Sequence, residues 1–300
     1  MRIGIDLGGT KIAAIALTAS GSILTERRMA TPSGDYVAVI AAIVALVSDI
    51  EAECRTHCSI GVGTPGAISP ASGLMKNSNS VCLNGKPLQR DLEQALSRPV
   101  RLANDADCFA LSEASDGAAA GARSVFGVII GTGTGGGIVI DGRLLAGPNA
   151  IAGEWGHNPL PWPRADELPG PACYCGKHGC IETFLSGPGL TLDFQQTTGQ
   201  QLGAAEIAAQ AAHGAATAQA ALHRYADRLA RSLASVINLL DPDVIVLGGG
   251  MSNIAALYAS VPALWSRYVF SDRVDTRLVP AKYGDASGVR GAAWLWPVGD

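Results

Sequence analysis

One pattern occurs twice in this chain, and it limits the possible folds more than any other feature. A strand runs into a glycine-rich turn and out again as a second strand. The first copy is GIDLGGTKIAAIAL (Gly4–Leu17) and the second is GVIIGTGTGGGIVI (Gly127–Ile140). The spacing predicts strands over Arg2–Leu7, Lys11–Leu17 and Ile23–Arg28 in the first copy, and over Val125–Ile130, Gly137–Ile140 and Leu144–Ala146 in the second. Helical spacing follows over Tyr36–Cys54, Asp91–Leu96 and Phe109–Ala120, with buried strands at Ser59–Val62 and Val100–Leu102. After the second copy, helices are expected over Ala204–His213, Thr217–Leu240 and from Ser287, with strands at Val244–Leu247 and Thr276–Pro280. The chain reads as two related α/β halves joined without a linker.

Composition narrows the function. The 300 residues carry a net charge of −4 with no basic run or stripe, so neither nucleic acid nor a membrane surface is an expected partner. The opening MRIGIDLGGT has no signal-peptide form, and no apolar stretch is long enough to span a bilayer, which makes a cytoplasmic location the expectation. Of the seven cysteines, Cys54, Cys58, Cys82 and Cys108 are scattered, whereas Cys173, Cys175 and Cys180 are bunched. In a reducing compartment a bunched set reads first as a metal site.

The second turn, Gly131–Gly136, formally fits G-x-G-x-x-G. A dinucleotide loop must open a helix, whereas this one runs into the strand pattern GIVI, so an NAD(P)-linked oxidoreductase is the weaker reading. Glycines in such a hairpin let backbone N–H groups approach a phosphate, and threonine hydroxyls add donors. Asp6 stands just before the first turn. Beside a triphosphate it would be repelled unless Mg²⁺ lay between them, so it is either a metal-facing carboxylate or a turn-stabilising one. Asp105 follows the strand Val100–Leu102, where open α/β sheets carry ligands. It can be a helix N-cap or the group that takes a proton from an attacking hydroxyl.

The segments Asp6–Lys11, Gly131–Gly137, Glu154-Trp155-Gly156-His157 and CYCGKHGCIE (Cys173–Glu182) resemble the ROK family of sugar kinases along essentially the whole chain. The resemblance implies an α/β fold of the actin/hexokinase/Hsp70 (RNase H-like) type, two domains flanking an ATP cleft. It implies a smaller domain of 1–116 plus 286–300 and a larger one of 117–285. It further implies ATP and Mg²⁺ held by Gly4, Asp6, Gly8, Gly9, Thr10, Lys11, Thr132, Gly133, Thr134 and Gly135, with Gly248 and Gly249 near the adenosine. A hexose pocket of Gly66, Asn79, Asn104, Asp105, Glu154, His157 and Glu182 follows, with Asp105 as catalytic base. A second ring nitrogen of His157 is expected to face a sugar hydroxyl.

The same resemblance makes His157, Cys173, Cys175 and Cys180 the ligands of a structural zinc, with His178 as a rival for the imidazole position. Cys54-x-x-His57-Cys58 reads instead as packing and surface residues at a helix end. Lys76–Ser80, Arg101–Asp105, Glu154–Trp162 and Gly288–Pro297 resemble the fructokinase (manno-fructokinase) subgroup, which implies fructose as substrate and mannose as a second. N-acetylglucosamine kinase and glucokinase are the alternatives within the family, and a non-catalytic sugar sensor the alternative outside catalysis. A homodimer is expected from relatives.

Overall fold

The structure is a computed structural model describing residues 1–297. In chain order the elements are β1 (Arg2–Leu7), β2 (Lys11–Leu17), β3 (Ile23–Ala30), α1 (Tyr36–Cys54), β4 (Ser59–Thr64), β5 (Ala67–Ile68), β6 (Met75–Lys76), α2 (Leu88–Leu96), β7 (Val100–Asn104) and α3 (Asp105–Ser115). They continue with β8 (Ser124–Ile130), β9 (Thr134–Ile140), β10 (Arg143–Leu144), α4 (Ile181–Leu185), α5 (Gly187–Thr198), α6 (Ala204–Ala212) and α7 (Ala216–Leu240). The last are β11 (Val244–Gly248), α8 (Leu257–Trp265), β12 (Arg277–Pro280) and α9 (Ser287–Trp294).

The repeated hairpin seeds two five-stranded sheets of one topology. The first has the order β3-β2-β1-β4-β7 and the second β10-β9-β8-β11-β12. In the first, β1 pairs antiparallel with β2 and parallel with β4, and β4 pairs parallel with β7. By contacts the chain divides into two units. One holds Met1–Gly121, Gly137–Ala152 and residues 285–297; the other holds Ala122–Gly136 and Gly153–Gly284. The segment Gly137–Ala152 packs with the first unit because Gly137 lies against α3. A Cβ there would stand 2.7 Å from the Ala106 carbonyl oxygen.

In the first unit, side chains of period two bury both faces of the hairpin. Ile12, Ala14 and Ala16 join Ile3, Ile5 and Leu7 against Val39, Ile43, Val47 and Ile50 of α1. Their neighbours Ala13, Ile15 and Leu17 pack on Val289 and Ala293 of α9. Helix α9 comes so close that side chains are excluded at its contacts. A Cβ on Gly4 would lie 2.1 Å from the Val289 carbonyl oxygen, and one on Gly291 would lie 1.6 Å from that of Cys108.

The expected helix over 109–120 forms instead as α3 (Asp105–Ser115), because the Asn104 side chain accepts from the Ala106 N–H and starts it four residues earlier. Helix α5 was not expected. Its opening Gly-Pro-Gly looks like a turn, yet Ser186 caps it and proline suits a first helical turn.

Gly291→Ala should destabilise the fold by about 3 kcal/mol through overpacking. Gly288→Ala, whose new Cβ would meet nothing nearer than Asp6 Oδ2 at 3.7 Å, should be neutral or slightly stabilising. Denaturant midpoints of the two variants decide it, and equal effects would contradict the packing described.

Candidate active site

In the first unit, three parallel strands deliver polar residues to one edge. The register pairs Asp6 of β1 with Gly63 of β4, and Thr64 of β4 with Asn104 of β7. Asp6, the turn after Thr64, and Asn104-Asp105 therefore stand together at the carboxyl ends of the strands, the usual ligand side of such sheets. Asn104 does two jobs. Its Oδ1 accepts from the Ala106 N–H at 2.8 Å, and its Nδ2 donates to the Gly66 carbonyl at 3.1 Å. Gly66 has φ +79° and a Cβ there would collide with the Lys76 carbonyl, so the Gly66 turn rests on the 76–78 backbone. Asn79, the next residue on that segment, is exposed.

Asp105 is the first residue of α3 rather than its cap, although its Oδ1 also receives the Ala106 N–H at 2.8 Å. It is exposed at the surface, while the protein mass around it desolvates the carboxyl and raises its pKa. Asp6 is pushed up to about 6 by burial and by the charge of Asp105, against the pull of Lys11. A buried carboxyl with a second carboxylate near it favours a cation or a proton beside it.

The first hairpin turn is tight. The Gly8 N–H donates to the Lys11 carbonyl at 3.0 Å, and the Thr31 hydroxyl donates to the Gly8 carbonyl at 2.7 Å. Gly9, Thr10 and Lys11 are exposed. Gly4 stands apart from them, in mid-strand under α9, where packing explains the glycine. Ser80, which the sequence offered only as the end of the Lys76–Ser80 segment, also reaches this turn. Its buried Oγ has no hydrogen-bond partner and would lie 3.4 Å from a Cβ on Gly9. Nothing in a lone serine after an Asn-Ser-Asn run signals this; only the fold brings it to the hairpin.

In the second unit, the Gly131–Gly135 turn is fastened from behind. The Gly187 N–H at the start of α5 donates to the Gly131 carbonyl at 2.7 Å, and the Thr134 N–H donates to Glu182 Oε2 at 3.0 Å. The Trp155 indole N–H reaches the Gly135 carbonyl at 3.0 Å. Thr134 is buried and its hydroxyl is unpartnered, whereas Thr132 is exposed. In front of the turn lies a groove of about 1020 Å³ lined by Gly131, Thr132, Leu192, Gln195, Gly250 and Met251 among others. It is Gly250 that borders this groove. Gly248 is buried at the end of β11, and Gly249 (φ +80°) backs onto the Ile130 carbonyl. The walls from α5 and α6 were illegible beforehand, since alanines and a leucine on a helix carry no motif.

His157, Cys173, Cys175 and Cys180 converge with their ligand atoms within 4.8 Å of one another. His157 Nδ1 lies 3.6 Å from Cys173 Sγ, and Cys175 Sγ lies 3.6 Å from Cys180 Sγ. A tetrahedron with metal–sulfur bonds of about 2.3 Å has edges of about 3.8 Å, so the set fits a zinc-like ion. His178 is outside the cluster. Cys54, His57 and Cys58 form no such group: Cys58 is buried, and Glu51 binds the Cys58 N–H and Arg98. His157 Nε2 meets the Tyr174 hydroxyl at 2.9 Å, so the nitrogen expected to face a sugar is occupied by the protein's own phenol. Glu154 is exposed beside the 3-10 turn Trp155–His157.

The loop before the cysteines is anchored to α7 by buried ions. Glu167 takes Arg228 and Arg231, and Arg231 also donates to the Pro161 and Trp162 carbonyls. Burial alone would raise Glu167, but Arg231, the Arg164 N–H and Arg228 pull it down to about 2. A depressed carboxyl contributes stability above its unfolded pKa and loses it as pH falls through the folded value. Acid should therefore loosen this loop between about pH 4.5 and pH 2. Glu167→Gln should cost about 3 kcal/mol at neutral pH and abolish that part of the acid dependence, as read by melting temperature against pH.

A sequence profile described as the ROK family matches residues 2–298. The N-acetyl-D-glucosamine kinase of Escherichia coli O9:H4 (strain HS) is 39% identical over 98% of this chain and 99% of its own. Among solved structures, a ROK hexokinase from Thermus thermophilus superposes with a TM-score of 0.86 at 33% identity, covering 98% of this chain and 96% of that one. A ROK glucokinase from Streptomyces griseus, solved with glucose and AMPPNP, gives a TM-score of 0.76 at 28% identity, with 98% of both chains covered. These relatives lend no support to the resemblance to the fructokinase subgroup, the 39% identical one being an N-acetyl-D-glucosamine kinase. With its actin/hexokinase-like α/β fold and a profile match over nearly its full length, the chain belongs to the ROK family.

Proposed function

We propose that the protein transfers the γ-phosphoryl group of ATP to a hydroxyl of a free hexose, with N-acetylglucosamine as the preferred acceptor and glucose next. One observation carries the reaction class: a carboxyl raised by burial, Asp105, just past the carboxyl end of β7 in the first turn of α3, with the capping of that helix left to Asn104. The choice of sugar rests on the 39% identical relative. Fructose and mannose become the weaker acceptors.

In this reading Asp105 accepts the proton of the acceptor hydroxyl as its oxygen bonds to the γ-phosphorus and the bond to the bridging oxygen breaks, releasing ADP. Asn104, by holding Gly66, fixes the floor beside that carboxylate. Asp6, with Asp105 near it, is the residue that would hold Mg²⁺, whose charge offsets that of the triphosphate. The groove at Gly131, Thr132, Gly250 and Met251 suits the nucleotide's base and ribose. Only deprotonated Asp105 can act, so kcat/KM, which reports the free enzyme, should fall on acidification at a higher pH than an ordinary carboxylate would dictate. His157, Cys173, Cys175 and Cys180 would hold a closed, structural zinc that fixes the loop carrying Glu154.

ADP release across N-acetylglucosamine, glucose, mannose and fructose should be fastest for the first. Asp105→Asn should lose about 10²–10⁴-fold in kcat with sugar KM within a few-fold. Near-normal turnover in that variant would refute the base, and fructose as the best acceptor would refute the sugar assignment.

Elemental analysis should find one zinc per chain, and Cys180→Ser should lose it together with protease resistance of the 158–180 loop. A metal-free wild type with an equally resistant loop would dispose of the zinc.

A further inference from the structure

Glu182 lies one residue into α4, a helix whose N-cap is Cys180 of the Cys/His cluster. Its two oxygens look in different directions. Oε1 lies 3.9 Å from Cys173 Sγ, and Oε2 accepts the Thr134 N–H at 3.0 Å. The second contact is intimate: a Cβ on Gly133 would stand only 2.5 Å from Oε2. The carboxylate therefore fills the space behind the turn and takes one of its backbone donors. We propose that Glu182 is a positioning residue for the nucleotide, clamping the Gly131–Thr134 turn in its phosphate-receiving shape and tying it to the cysteine loop. The inference rests on the reading that this turn meets the nucleotide phosphates.

The chemistry favours such a clamp. A hydrogen bond to a charged acceptor is stronger than one between neutral groups, and a turn rich in glycine has much backbone freedom to lose. The Gly187 N–H holds the other end of the turn at the Gly131 carbonyl. Removing Glu182 leaves the turn held at its two ends, by Gly187 at the Gly131 carbonyl and by Trp155 at the Gly135 carbonyl, with nothing to take the Thr134 N–H between them, so that part must be ordered by the ligand at the expense of affinity. A glutamine at the same place can still accept from Thr134, which separates the role of the hydrogen bond from that of the charge.

The test is titration of a non-hydrolysable ATP analogue with sugar absent, so that a sugar-binding role of Glu182 cannot contribute. Wild type should bind the analogue; if it does not, the nucleotide reading itself fails. Glu182→Ala should weaken binding about tenfold, and Glu182→Gln should stay within about threefold of wild type. Gly133→Ala, which pushes the carboxylate away, should also weaken binding, yet add less than twofold when made on Glu182→Ala. Analogue affinity unchanged in Glu182→Ala, or independent and multiplying effects of the two alanine substitutions, would overturn the clamp. Melting temperatures near wild type in Glu182→Gln keep the comparison free of misfolding.

Discussion

The parallel register of β1, β4 and β7 is the constraint from which the rest of the first unit follows. Parallel strands end together, so residues distant in sequence arrive side by side where the sheet stops. Asp6, the Gly66 turn and Asn104-Asp105 meet for that reason alone. Holding the register requires the sheet to be covered closely on both faces. On one face α1 does so with branched apolar side chains; on the other α9 does so with backbone, where Gly4 of β1 and Gly61 of β4 meet the Val289 and Ala292 carbonyls. A glycine in such a strand thus serves packing as readily as ligand approach. Gly4 illustrates the first, and Gly9, beside the orphaned Ser80 hydroxyl, sits where the second is possible.

Legibility followed physical scale. Strands and helices whose burial is periodic were readable, and α1 runs over the same residues as its apolar spacing, Tyr36–Cys54. The cysteine cluster was readable because three thiols and an imidazole have few other reasons to be bunched, and the resemblance supplied the fourth ligand. Contacts made by backbone were not. Asn104 looked like part of a strand end, yet it caps α3, braces Gly66 and leaves Asp105 at the first helical position. Helix α5 hid behind Gly-Pro-Gly, and with it one wall of the nucleotide-sized groove. The Thr134 N–H goes to Glu182, a pairing that the sequence did not signal. Each miss is a side chain speaking to a main chain far away in sequence, which no local pattern encodes.

The second unit solves a different problem. Its stretch from Gly153 to Cys180 is rich in proline and glycine and has little regular structure with which to hold itself. Two fasteners compensate at opposite ends. The Glu167–Arg228–Arg231 group pins the early part to α7, and the Cys/His cluster gathers the later part. A buried ion pair is a weak source of net stability, because desolvation offsets much of the attraction. Here its value is geometric: Arg231 also donates to the Pro161 and Trp162 carbonyls, so one guanidinium fixes the loop's path as well as its charge.

Asp6 and Asp105 pose the electrostatic question that the fold leaves open to chemistry. Burial makes each resist ionising, and for Asp6 the charge of Asp105 adds to it. A protein without use for the pair would gain by replacing one of them with an amide. A cation held by Asp6 would oppose both shifts and favour the charged carboxylates. In the proposed reaction the ion that a triphosphate needs would also favour the charged form of Asp105, the form able to accept a proton.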